Sequence, residues 1–105
     1  MAEQIQEVGI GTLVKVNLTV QPIDGIAFSG MNWECVFSGD KSSISVSKEE
    51  AVAVDANTYT CYVDTTGTGA GALKAQLRVE IPDSYAPNGI RPEVTPPFSI
   101  NIKVV

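Results

Sequence analysis

The sequence predicts an all-β fold, an antiparallel β-sandwich of about seven short strands. Three observations predict it. Apolar and polar residues alternate through most of the chain, turn-forming residues separate the alternating runs, and no useful window repeats with helical period. The 105 residues suffice for one modest core and not for two. Residues 1–105 therefore read as one domain, with an N-terminal segment (1–12) ahead of the first strand and a proline-rich arm (82–97) near the end.

Each element has its own warrant. In LVKVNLTV, Val14, Val16, Leu18 and Val20 alternate with Lys15, Asn17 and Thr19, the pattern of a half-buried strand. In NWECVFSG, Trp33, Cys35 and Phe37 share one face and Asn32 and Glu34 the other. SSISVS gives a short strand through Ile44 and Val46, and AVAV (51–54) is either a strand or one helical turn following SKEE. TYTCYVD sets Tyr59, Cys61 and Val63 on one face. ALKAQLRVEI is the clearest case, with Leu73, Ala75, Leu77, Val79 and Ile81 facing inward. FSINIKV closes the fold with Phe98, Ile100, Ile102 and Val104 inward. QPIDG, FSG and SGDKSS read as turns, and TTGTGAG as a flexible hairpin loop. Gly67, Gly69 and Gly71 do not form a phosphate cradle, because such a cradle needs a helix start after the glycines and here a strand follows.

Composition excludes several functions. Seven basic residues against twelve acidic ones leave a net charge of −5, with no cluster of Lys or Arg. Nucleic acid is therefore not an expected partner, since phosphate backbones require clustered cations. No apolar run approaches the roughly 20 residues of a membrane span. The start MAEQIQEVGIGT has neither a basic nor an apolar export region, so a complete short protein kept in a reducing cytoplasm is expected. Histidine is absent, which removes Ser-His and Cys-His nucleophilic systems and the commonest metal ligand. Cys35 and Cys61 do not amount to a zinc site or a disulfide framework. Asp40, Asp64 and Asp83 are the loop aspartates that a Ca²⁺ site would draw on, although loop aspartates ordinarily just make turns. Glu49 and Glu50 are adjacent and point two ways. No enzyme activity and no cofactor are expected.

DANTYTC (55–61), with Trp33 upstream, resembles the core signature of immunoglobulin-like domains. There a tyrosine stands two residues before a core cysteine on strand F, and a tryptophan fills strand C. Asp55, Asn57, Tyr59 and Cys61 match in order and spacing, while Val14–Val20 stands where strand B would lie and carries no cysteine. The resemblance implies an immunoglobulin-like β-sandwich lacking its inter-sheet disulfide. Cys35 and Cys61 would then sit on neighbouring strands of one sheet as buried thiols.

IPDSYAPNGIRPEVTPPF holds five of the six prolines and reads as a long connection rather than a central strand. Its apolar members Ile81, Tyr85, Ile90 and Val94 fit an arm laid against its own sheet or a neighbouring subunit. Tyr85, Ile90 and Arg91 are the candidate interface residues, because tyrosine and arginine most often anchor interfaces. WEC (33–35), YTCYVDTT (59–66), GAGALK (69–74), VEIPD (79–83) and NGIRPEV (88–94) together resemble small β-sandwich modules in virion proteins of tailed phages. The phages in question infect Bacteroides-type gut bacteria, crAss-like phages among them, and the similarity covers residues 30–105. It implies a virion structural protein made in the host bacterial cytoplasm: a capsid auxiliary or decoration protein, a head fibre or a tail-associated component. Its partners would be other virion proteins and further copies of itself. The competing reading is a carbohydrate- or host-surface-binding adhesion module, in which a glycan would stack on Tyr62 and Tyr85.

Overall fold

A computed structural model describes residues 5–105; Met1–Gln4, part of the N-terminal segment singled out above, lie outside the described residues. Nine strands follow in order: β1 (Gln6–Val8), β2 (Leu13–Thr19), β3 (Asn32–Ser38), β4 (Ser43–Ser47), β5 (Val52–Asp55), β6 (Thr58–Asp64), β7 (Gly71–Pro82), β8 (Ile90–Val94) and β9 (Phe98–Val104). They form two sheets, one ordered β2-β6-β5 and the other β1-β9-β7-β3-β4, with β8 also paired to β7. β1 runs parallel to β9, and the remaining pairs are antiparallel. The all-β expectation holds, and the strands that exceed the expected seven are β1 and β8.

Period-two patterning builds the core. Leu73, Ala75, Leu77, Val79 and Ile81 of β7 are all buried, as are Tyr59, Cys61 and Val63 of β6. Between the sheets lies an aromatic cluster. Phe28 stacks on Trp33 with ring centroids 5.0 Å apart, and Tyr59 meets both edge-on at 5.3 and 5.2 Å. Such geometry adds about 0.5–1.5 kcal/mol per pair beyond area burial. Phe28 reaches the core from a short 3-10 turn, Phe28–Gly30, between β2 and β3. The Trp33 indole N–H is buried without a partner.

Three expectations need correction. TTGTGAG is not a flexible hairpin loop, because β6 and β7 belong to different sheets. It is a crossover containing one helical turn, α1 (Thr65–Thr68), whose Thr66 N–H donates to the Asp64 side chain. Thr65 and Thr68 are buried; the Thr65 hydroxyl donates to Thr12 O at 2.8 Å and accepts from Gly11 N at 2.9 Å. Gly67 is required here, since a Cβ would lie 2.5 Å from Ile44 Cγ2.

Tyr59 and Cys61 do not lie across the core from β2. Their strand, β6, bonds directly to β2, with Leu18 opposite Tyr59 and Val16 opposite Cys61. The strand that flanks Trp33 in its own sheet is β7. Consequently Cys35 on β3 and Cys61 on β6 are not neighbours in one sheet but belong to opposite sheets. Both are free and fully buried. β6 and β7 alternate equally well, so alternation alone does not say which of them bonds to β2.

The inward set of the last strand is also broken. Phe98 is 40% exposed, although it stands opposite buried Ala75, because it lines an open cleft with Ile100 and Ile102 across from β2.

Candidate functional site

The proline-rich arm is folded back on its own sheet. Pro82 ends β7, and Ile90–Val94 returns as β8 with Ile81 opposite Arg91 and Arg78 opposite Val94. The expected connection of the arm thus contains a strand, and its prolines sit where a ladder tolerates them. Pro92 lies on β8, which has no strand beyond it among the described residues, and Pro87 opens a 3-10 turn, Pro87–Gly89. Thr95 repairs the break between β8 and β9. Its N–H donates to Leu77 O at 2.9 Å, its hydroxyl accepts from Leu77 N at 3.0 Å, and its carbonyl accepts from Gln76 Nε2 at 3.1 Å. Pro96 and Pro97, which follow, have no N–H to leave unpaired.

The tip of this hairpin is held by Asp83. Its carboxylate accepts from Tyr85 N at 3.0 Å, its carbonyl from Ala86 N at 3.1 Å, and its own N–H donates to Gly89 O at 2.9 Å. Arg91 braces the base, donating from Nη2 to Asp24 Oδ2 at 2.7 Å, with Nη1 3.6 Å from Asp83 Oδ2. The hydrogen bond to Asp24, above all, raises the already high pKa of the guanidinium. Asp24 stands at φ 51° in a tight loop closed by reciprocal bonds between Ile23 and Ile26 at 2.9 Å. The candidate residues therefore divide. Arg91 is engaged within the chain, Ile90 is 41% exposed, and Tyr85 projects from the tip 98% exposed. Sequence reasoning missed Asp24; the only signal was the Asp-Gly pair of QPIDG, read simply as a turn.

The other candidates are dispersed. Asp64 caps α1, Asp83 closes the hairpin, and the Asp40 side chain lies against Gly71. Among the described residues no three His, Cys, Asp or Glu gather where a metal could be held. Glu50 accepts from the N–H and hydroxyl of Ser47, both at 3.0 Å; that backbone bond, first, holds its pKa below the usual carboxylate value. SKEE forms a 3-10 turn, Lys48–Glu50, and AVAV the strand β5. Lys48, which the sequence did not flag, donates from Nζ to Ser29 O and Met31 O, each at 2.8 Å. Burial pushes the Cys35 thiol up to about 12 and Cys61 up to about 11, and the nearness of Cys61 adds to the shift of Cys35. Tyr62, 47% exposed, is on β6 of the smaller sheet, whereas Tyr85 is in the turn between β7 and β8 of the larger.

Two shallow clefts, of about 190 and 370 Å³, adjoin on the larger sheet and share Arg78 and Glu80. Among the described residues no helix is long and apolar enough to cross a membrane. No family model, curated protein or solved structure matches the chain.

Proposed function

We propose that this chain is a non-enzymatic assembly module of a tailed-phage virion, a capsid auxiliary, head-fibre or tail-associated protein on an immunoglobulin-like sandwich without a disulfide. The resemblance of residues 30–105 to virion β-sandwich modules supports the phage setting. The strand order supports the immunoglobulin-like part. β2, β6 and β5 stand as strands B, E and D would, and β9, β7, β3 and β4 as G, F, C and C′ would. Cys61 then belongs to strand E, which explains why it has no partner on β2.

The observation that carries the assembly role is Tyr85. A tyrosine 98% exposed on a hairpin fixed by Asp83 and Arg91 is a rigid aromatic anchor presented at low entropic cost. Tyr85 and Ile90 make the contact, and Arg91 positions the hairpin that carries them. Adhesion to a glycan is less well supported, because stacking platforms combine aromatics, whereas Tyr62 lies on β6 of the smaller sheet and Tyr85 in the turn between β7 and β8 of the larger.

The test is quantitative mass spectrometry of purified particles. A copy number in simple ratio to the major capsid or tail protein supports the reading; a chain made in infected cells but absent from particles contradicts it.

A further inference from the structure

We propose that the free edge of β2 is a second-copy docking edge, where two chains pair β2 to β2 antiparallel and join their smaller sheets into one. The inference rests on the reading of this chain as an assembly module and names the partner: the chain itself.

The phase of the β2–β6 ladder shows which backbone groups are left over. Thr65 N–H donates to Thr12 O at 3.2 Å and Val20 N–H to Asn57 O at 2.9 Å, and these pairs continue the register that opposes Val14 with Val63. In an antiparallel pair, alternate residues turn their N–H and C=O toward the partner strand. The even-numbered residues of β2 thus bond β6, and Leu13, Lys15, Asn17 and Thr19 direct theirs to the other side, where no strand pairs with β2 among the described residues.

Alongside that edge the sandwich is open. Three cavities, of about 280, 340 and 340 Å³, follow one another along β2. Their far walls are supplied in turn by Ile102, by Phe98 with Ile100, and by Glu93 with Val94. Leu13 is 61%, Val94 55% and Phe98 40% exposed. A backbone ladder alone seldom holds two proteins together, and a specific contact buries roughly 1,000 Å² or more. These apolar residues supply the surface that the ladder lacks.

Charge and register favour a second copy. The chain carries −5 overall, yet Leu13–Thr19 and Phe98–Val104 contain one lysine each and no acid. Among the described residues, the one carboxylate lining these cavities is Glu93, beside Thr19, and a two-fold pairing sets the two copies of it at opposite ends of the contact. β5 is instead flanked by Glu49, Glu50 and Asp55, and the outward residues of β4 are Ser43, Ser45 and Ser47. A two-fold register centred on Val16 sets Val16 against Val16, Lys15 against Asn17 and Leu13 against Thr19. It pairs the outward groups with each other and keeps the two lysines apart.

The test uses the full chain and two variants. Sedimentation equilibrium should show a dimer. Lys15→Pro removes an outward N–H and none of the bonds to β6, and should weaken the dimer by about thirtyfold. Val16→Cys should cross-link two copies under mild oxidation, because opposed residues of a non-hydrogen-bonded pair lie about 4.5 Å apart at Cα, within disulfide reach. Val54→Cys on β5 should not. A wild-type monomer, a dimer indifferent to Lys15→Pro, or cross-linking through Val54→Cys in place of Val16→Cys would overturn the proposal. So would a monomer that dimerises only when residues 1–5 are removed, for then the chain's own N-terminal segment occupies the edge. A monomer found in stoichiometric amount in particles would sink this inference and leave the virion reading standing.

Discussion

Arg91 and Asp24 are 67 residues apart in sequence and meet at 2.7 Å. The contact fastens β8 to the loop between β2 and β3, and so links the hairpin tip to the opposite end of the chain. Both side chains are substantially exposed, 38% and 67%. Arg91→Ala should therefore cost about 1 kcal/mol or less of global stability. Locally the effect should be larger: amides of residues 83–94 should exchange with solvent faster while those of β3 and β7 do not. Chemical denaturation paired with hydrogen exchange checks both halves, and a loss of several kcal/mol or an unchanged exchange pattern would refute the bracing role.

Cys35 and Cys61 should be recovered as two free thiols when the protein is denatured without reductant. In the native state they should resist alkylation at neutral pH, because burial keeps both protonated. The sign of the pH dependence follows. An unfolded thiol ionises near 9 and the folded pair at about 12 and 11, so the stabilisation is complete below about pH 9 and is lost as pH rises through 11 to 12. A Cys35→Ala/Cys61→Ala variant should show a shallower alkaline decline in melting temperature than the parent. Cys61→Ser should destabilise by roughly 1–3 kcal/mol, since it buries a hydroxyl without an assured partner.

Gly67→Ala should cost roughly 1–3 kcal/mol, because the added methyl meets Ile44 Cγ2 at 2.5 Å and a packed site cannot absorb it. Ile44→Ala removes the obstacle. In a double-mutant cycle the pair should lose clearly less than the sum of the single losses; strict additivity would mean that the crossover is not packed on β4 as described.

Lys48→Met keeps the aliphatic stem and removes the ammonium from the Ser29 and Met31 carbonyls. The expected loss is roughly 1–2 kcal/mol, since bonds to a charged donor are stronger than neutral ones but this one is partly solvated. Thermal unfolding measures it. No loss at all would show that the 2.8 Å contacts do not persist in solution.

Much of this fold was legible because burial alternates as strictly as the sequence does. Leu73 to Ile81 is the plainest example: its apolar positions became the buried face of β7 without exception. What the sequence could not reveal was which strand lies beside which. β6 and β7 carry similar alternation, and nothing local in either says which of them bonds to β2. Only the crossover at Thr65–Thr68, fixed by the Thr65 bond to Thr12, decides the sheet, and that contact joins residues 53 apart in sequence. β8 was hidden because Pro92 argues against a strand unless the strand is known to be an edge. For the candidate site, Tyr85 and Ile90 were legible as apolar residues in a polar loop. The bracing role of Arg91 was not, since Asp24 lies far away in sequence.

The central claim, assembly through a rigidly presented hairpin tip, is tested most directly by Tyr85→Ala. The ring is 98% exposed, so the variant should fold with unchanged melting temperature. Its incorporation into particles, measured by mass spectrometry against the wild-type chain produced alongside it, should fall by at least about tenfold. Incorporation equal to wild type, from a variant shown to be folded, would contradict the account.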